Sequence, residues 1–111
     1  MPRDEATVLD IVLACRHIVQ FRGLLDRAAF LADAKSVSAV LHKILVIGEA
    51  AKRLGDGFRH AHPTVPWRRI TGMRDHLIHG YDKVDLNEVW KAVDSDVPAL
   101  LAYLEPLTRK P

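Results

Sequence analysis

The chain has 111 residues, 49% of them apolar and 27% charged, with a formal net charge of +2. That length gives one domain, 1–111, with a single core, and the apolar share argues for a globular fold over disorder. No apolar run reaches the roughly 18 to 20 residues that cross a bilayer, and the lone Cys15 has no internal disulfide partner.

The charged start Met1-Pro2-Arg3-Asp4-Glu5 leads straight into an amphipathic segment and is unlike a signal peptide, so a cytoplasmic protein with no membrane segment is expected. Val8, Ile11, Val12, Cys15, Ile18 and Val19 recur at i, i+3, i+4, i+7 and predict a first helix over about residues 4 to 22, with Gly23 near its end. Cys15 on this stripe reads as a small buried hydrophobe. Residues 24–33 suit a short helical turn in which Phe30 and Leu31 close over the core. Val37, Val40, Leu41, Ile44, Leu45, Gly48, Ala51 and Leu54 trace the apolar stripe of a second helix, which Gly55 and Gly57 stop. Gly48 and Ala51 permit close approach of a neighbour, and Glu49 is the one carboxylate here that could face inward. A connection rich in His and Pro follows.

Thr64 as cap and Pro66 in the first turn open a third helix, with Trp67, Ile70, Met73, Leu77 and Ile78 on its buried side. It ends around Ile78 to Tyr81, with Gly80 as the stop. Asp85 and Glu88 have the spacing of a capping box, and Val89, Trp90, Val93 and Val97 continue a fourth helix. Pro98 kinks that helix or starts a new turn, and Leu100, Leu101 and Leu104 finish it. Nothing has the period of a strand. The fold class expected is all-α: an up-and-down four-helix bundle with a kinked or split last helix.

Charge is unevenly spread. From Lys52 to Lys83 seven basic residues face three acidic ones, and four of the six histidines fall there, so a polyanion would be drawn to this part of the chain. Within it, Arg74-Asp75-His76-Leu77-Ile78-His79-Gly80-Tyr81 gathers a fixed cation, a carboxylate, two imidazoles and a phenol. Arg grips phosphate with paired hydrogen bonds, and His moves protons near neutral pH, a combination suited to cutting a phosphodiester without a metal. The alternative is that both groups merely cap carbonyls at a helix end. Arg74 and His79 lie about 140° apart on a regular helix. Either the helix frays before His79, or the site is assembled across a dimer. His76 is a second candidate imidazole or a surface histidine. His60 and His62, with no cysteine or close carboxylate between them, do not make a metal site, and Trp67 and Trp90 are read as core.

Taken together these residues resemble a known family. Ile47-Gly48-Glu49-Ala50 with Ala51-Lys52-Arg53-Leu54 is similar to the second-helix signature of the HepT-like toxins of the HEPN superfamily. Pro66-Trp67-Arg68-Arg69-Ile70 and Gly72-Met73-Arg74-Asp75 resemble its third helix. The run from Arg74 through His79 and Gly80 to Tyr81 fits its Arg-x4-His-x-Tyr motif, and Val84-Asp85-Leu86 to Val89-Trp90 with Asp96-Val97-Pro98 resembles its fourth helix. The resemblance implies a HEPN-type bundle and the toxin of a type VII toxin–antitoxin pair: an endoribonuclease that needs no metal or other cofactor, with Arg74 and His79 as its catalytic pair. It implies a homodimer with two such pairs in one cleft, and a partner, an MntA-type nucleotidyltransferase antitoxin, that silences the toxin by adenylylating Tyr81. Many members carry Asn where this chain has Asp75, which could orient Arg74 or His79 or could weaken RNA binding. A non-catalytic helical partner of the nucleotidyltransferase is the alternative function.

Overall fold

The computed structural model describes residues 2–79 and 83–108. Helix α1 (Pro2–Arg22) has Asp4 and Glu5 in its first turn and Arg22 in its last, the order that suits the helix dipole. It stops at Gly23, whose φ of 56° is open to glycine at little cost and whose N–H donates to the Val19 carbonyl at 2.9 Å. Short helix α2 (Arg27–Ala32) starts on Asp26, which accepts from the Ala29 N–H, and drops Phe30 fully into the core. Helix α3 (Ala34–Lys52) is capped by Asp33, which accepts from the N–H groups of Lys35 and Ser36 and from the Ser36 hydroxyl. The Ser36 side-chain and backbone bonds hold the Asp33 carboxyl below its ordinary range.

Helix α3 packs on α1 along one side and on α5 (Trp67–Thr71) and α6 (Met73–Leu77) along the other. Gly48 lies at the second contact. A Cβ there would stand 3.5 Å from the Thr71 carbonyl oxygen and 3.6 Å from that of Ile70, so the helices meet backbone to backbone. Between α3 and α5 the expected plain connection contains a helix, α4 (Asp56–Ala61). It buries no residue fully and so leaves no apolar period in the sequence. Its supports are tertiary: the Gly55 N–H donates to Asp4 at 3.1 Å, and the Phe58 ring meets Trp67 edge-on at 6.0 Å.

The third expected helix is two. Gly72, with φ −99° and ψ 7°, separates α5 from α6. Pro66 occupies the cap position with no side-chain hydrogen bond, so Thr64 is not the cap. The fourth helix begins as α7 (Leu86–Lys91), with Asp85 accepting from the Glu88 N–H at 3.2 Å. Glu88 does not reach back to close the box; its carboxylate turns to Arg69.

Pro98 stands in the first turn of a new helical segment, one of the two outcomes expected of it. A π turn (Ala92–Asp96) leads directly into α8 (Val97–Leu104) and a closing 3₁₀ turn (Glu105–Thr108). Proline offers no N–H to the Asp94 carbonyl and its ring crowds it, and widening the turn by one residue relieves both. α8 returns against α1, and α6 touches α7, so the helices enclose one core.

That core takes Ile11, Val12, Cys15 and Ile18 from α1, Val40, Ile44, Ile47 and Ala51 from α3, Met73 and Leu77 from α6, and Val89, Val97 and Leu104 from the last rod. Two members of the expected stripes are outside it: Val19 is 43% exposed and Leu45 39%. Glu49 likewise does not face inward; its half-exposed side chain lies 3.9 Å from Lys52. The all-α class is what the structure shows. Among the described residues the only extended pairing is one isolated antiparallel bridge, Ile78 to Val84, and no helix is long and apolar enough to cross a membrane.

Candidate active site at the end of α6

Helix α6 is only one turn and a half long, and the path of the chain beyond it decides the geometry of the motif. The Ile78 N–H donates to the Arg74 carbonyl at 2.9 Å and closes the helix. Ile78 itself is extended (φ −119°, ψ 113°), so His79 is no longer on the helix and the 140° rotation expected of a regular one does not apply. The chain then reverses. The His79 N–H donates to the Lys83 carbonyl and the Asp85 N–H to the Leu77 carbonyl, both at 2.7 Å, on either side of the Ile78–Val84 bridge. Two short backbone bonds thus join the chain leaving α6 to the chain entering α7. Gly80, Tyr81 and Asp82, including the expected modification site, lie outside the described residues.

Arg74 and His79 are both exposed, Arg74 on α6 and His79 one extended residue beyond it. No hydrogen bond joins their side chains among the described residues. Asp75 stands beside Arg74, its Oδ1 3.4 Å from Nη1, with the two side chains 82% and 50% exposed. Of the two partners that the sequence offered Asp75, the structure brings it to Arg74. His76 is exposed on the same helix, its Nε2 near the Cα side of Gly72. Arg74 and Asp75 also line an open groove of about 210 Å³ with Thr71 on one wall and Leu45, Gly48, Glu49 and Lys52 of α3 on the other. Lys52 and Arg74 give this groove two cations, each with a carboxylate close by.

Other candidates fall into supporting places. His62 Nδ1 lies 2.9 Å from the Tyr103 hydroxyl, and its carbonyl accepts from the Trp67 indole N–H, so it fastens the α4–α5 connection. Trp67 is nearly buried, and half-buried Trp90 has Phe30 against one side and the Arg22 guanidinium 4.6 Å from its ring centre. Neither indole is free to stack on a base. Among the described residues no three His, Cys, Asp or Glu side chains converge as metal ligands would. Arg69 carries no signal of its own in the sequence. It donates to Asp96 at 2.8 Å and, more weakly, to Glu88 at 3.5 Å, and the Asp96 hydrogen bond pushes its own pKa further up. No periodicity marks it as a tie, because both partners come from elsewhere in the chain.

A profile described as ribonuclease HepT-like matches residues 11–107. A probable ribonuclease HepT of Thermococcus cleftensis is 39% identical over 100 residues, covering 90% of this chain and 91% of that protein. A putative RNase of Methanocaldococcus jannaschii is 32% identical over 101 residues, with 91% and 93% covered. Another, from Caldanaerobacter subterraneus, is 31% identical over 100 residues, with 90% and 89% covered. No solved structure matches the chain. With the profile spanning the core helices and the α6–α7 loop alike, the chain belongs to the ribonuclease HepT-like family of the HEPN superfamily.

Proposed function

We propose that this endoribonuclease cuts RNA with Arg74 and His79, without a metal, and that it is the toxin of a type VII toxin–antitoxin pair. The observation that carries the assignment is the chain reversal at the end of α6. It holds an exposed guanidinium and an exposed imidazole within five residues, on a backbone pinned by two hydrogen bonds of 2.7 Å. RNA supplies its own nucleophile. The 2′-oxygen attacks phosphorus as its proton passes to an imidazole, and the bond to the 5′-oxygen breaks as that oxygen takes a proton. The products are a 2′,3′-cyclic phosphate and a free 5′-hydroxyl. Arg74 stabilises the charge gathering on the phosphoryl oxygens.

Two proton transfers ask for two imidazoles, and one chain offers His79 with only His76 nearby. A homodimer that brings two Arg74–His79 sets to one cleft supplies the second. Tyr81, two residues beyond His79, is the site at which an MntA-type nucleotidyltransferase adds AMP. The added phosphate competes for Arg74 with the RNA backbone, which accounts for silencing. The test is cleavage of mixed RNA in EDTA by the protein and by His79→Ala, with the new 3′ ends identified. Cyclic phosphate ends from the unchanged protein alone are expected. Equal cutting by both would remove His79 from the mechanism. Co-expression with the nucleotidyltransferase, read by intact mass, should add AMP to the protein and not to Tyr81→Phe.

A further inference from the structure

His79 follows α6 directly and the chain returns at the cap of α7, so where His79 stands depends on how those two helices are held. In front, they are joined by the two backbone bonds at the base of the loop. Behind, one side chain ties the α5–α6 segment to the last rod. Arg69, on α5 just before the Gly72 break, sends Nη2 to Glu88 in the first turn of α7, and both Nε and Nη2 to Asp96 in the π turn. The tie is well shielded, with side-chain exposures of 28% for Arg69 and 17% for Asp96.

The π turn is what lets both carboxylates share one guanidinium. In a regular α-helix, eight residues carry the chain about 80° past two full turns, and the extra residue of a π turn brings it back to within roughly 20°. Asp96 therefore stands above Glu88 on the face turned to α5. A cavity of about 200 Å³, lined by Arg69, Ile70, Asp96 and Leu100 among others, lies beside the tie. It leaves α5 room to shift once the tie is cut.

We propose that Arg69 is a positioning residue for RNA cleavage: it clamps α5 to α7 and to the π turn, and so fixes where the chain leaves α6 at His79 and where it re-enters α7 at Asp85. Arg69 touches no substrate. Its importance for the chemistry depends on Arg74 and His79 being the cutting pair. Its effect on the loop does not. A planar fork reaching two carboxylates cannot be reproduced by the point charge of lysine, so Arg69→Lys retains one arm at most.

The test compares Arg69→Met with Ile18→Val, a core change in α1 that lowers stability away from the loop. Amide hydrogen exchange and single-turnover RNA cleavage are measured well below both melting temperatures. In Arg69→Met, protection at the His79 and Asp85 amides should fall about tenfold while Val40 and Ile44 in α3 follow only the global change. Its cleavage rate should fall about tenfold below that of Ile18→Val, with Arg69→Lys in between. Glu88→Gln, which loosens a single arm, carries the same comparison if Arg69→Met does not fold. Unchanged protection at His79 and Asp85 would overturn the clamp, as would equal cleavage by Arg69→Met and Ile18→Val. If the unchanged protein cuts no RNA, the assignment of Arg74 and His79 fails, and the clamp is still decided by the two amides.

Discussion

At the scale of single residues, Asp75 matters most as the carboxylate next to the Arg74 cation. Its carboxylate lies 3.4 Å from the Arg74 guanidinium, where it would compete with a phosphate brought to that cation. Both groups are exposed, and exposed pairs are worth under about 1 kcal/mol, so Asp75→Asn should tighten RNA binding by no more than about fivefold. Fluorescence anisotropy at low and moderate salt checks this, and the gain should shrink as salt screens the site. Weaker binding by Asp75→Asn would show instead that the carboxylate is needed to aim Arg74. Cys15 is the opposite kind of residue, fully enclosed by the core, with burial raising its thiol pKa to about 12. A raised value keeps the neutral thiol dominant at every pH below it. Cys15 should therefore resist alkylation from pH 7 to 9 in the folded protein and react promptly in denaturant. Labelling of the native protein at the rate of free cysteine would contradict this.

Among the elements, the α3–α5 contact governs how closely α5 can approach the core. Gly48 faces two carbonyl oxygens at distances a methyl group can just occupy. Gly48→Ala should then be neutral or stabilise by up to about 1 kcal/mol through helix propensity. Gly48→Leu overfills the contact and should cost about 1–3 kcal/mol, seen as a lower denaturant midpoint. The same displacement would move Thr71 and the Arg74 groove, so RNA cleavage should fall in Gly48→Leu more than its stability alone explains. Equal stability of both variants would mean that α5 is not held close to α3. The π turn matters in the same way, for it sets the register of Asp96 against Glu88 and hence what Arg69 can hold.

On the scale of the whole molecule, the chain presents exposed Leu9, Leu13 and Leu45 along α1 and α3 while keeping one closed core. If two Arg74–His79 sets are needed for the two proton transfers, activity belongs to the dimer and not to the chain. Cleavage per chain should then fall on dilution in step with the dimer fraction measured by sedimentation. Mixing an excess of His79→Ala chains into the unchanged protein should lower the activity per unchanged chain, because a mixed dimer holds a single His79. A rate per chain independent of concentration, with no loss on mixing, would assign the whole reaction to one chain.

The amphipathic stripes of α1 and α3 were legible in the sequence because burial along one helix repeats every three or four residues, whatever the neighbours are. Caps were legible at Asp85, where a short-range side-chain bond decides the start. The Arg74, His79 and Tyr81 motif was read from residue types alone, which suggest a chemistry wherever they sit and leave its test to the RNA-cleavage experiment. Other features were settled only by packing. Helix α4 has no buried stripe to announce it and stands on contacts with Asp4 and Trp67. The break at Gly72 and the early end of α6 depend on how closely α3 is approached and on the backbone bonds that tie Leu77 and His79 to the returning chain. Val19, Leu45 and Glu49 kept the helical period yet came out exposed, since the neighbouring helices cover less of α1 and α3 than the stripes offer. Local spacing determines which residues can share a face. Only the tertiary structure decides which faces are covered, where a helix must stop, and that Arg69 meets Glu88 and Asp96 across residues far apart in the chain.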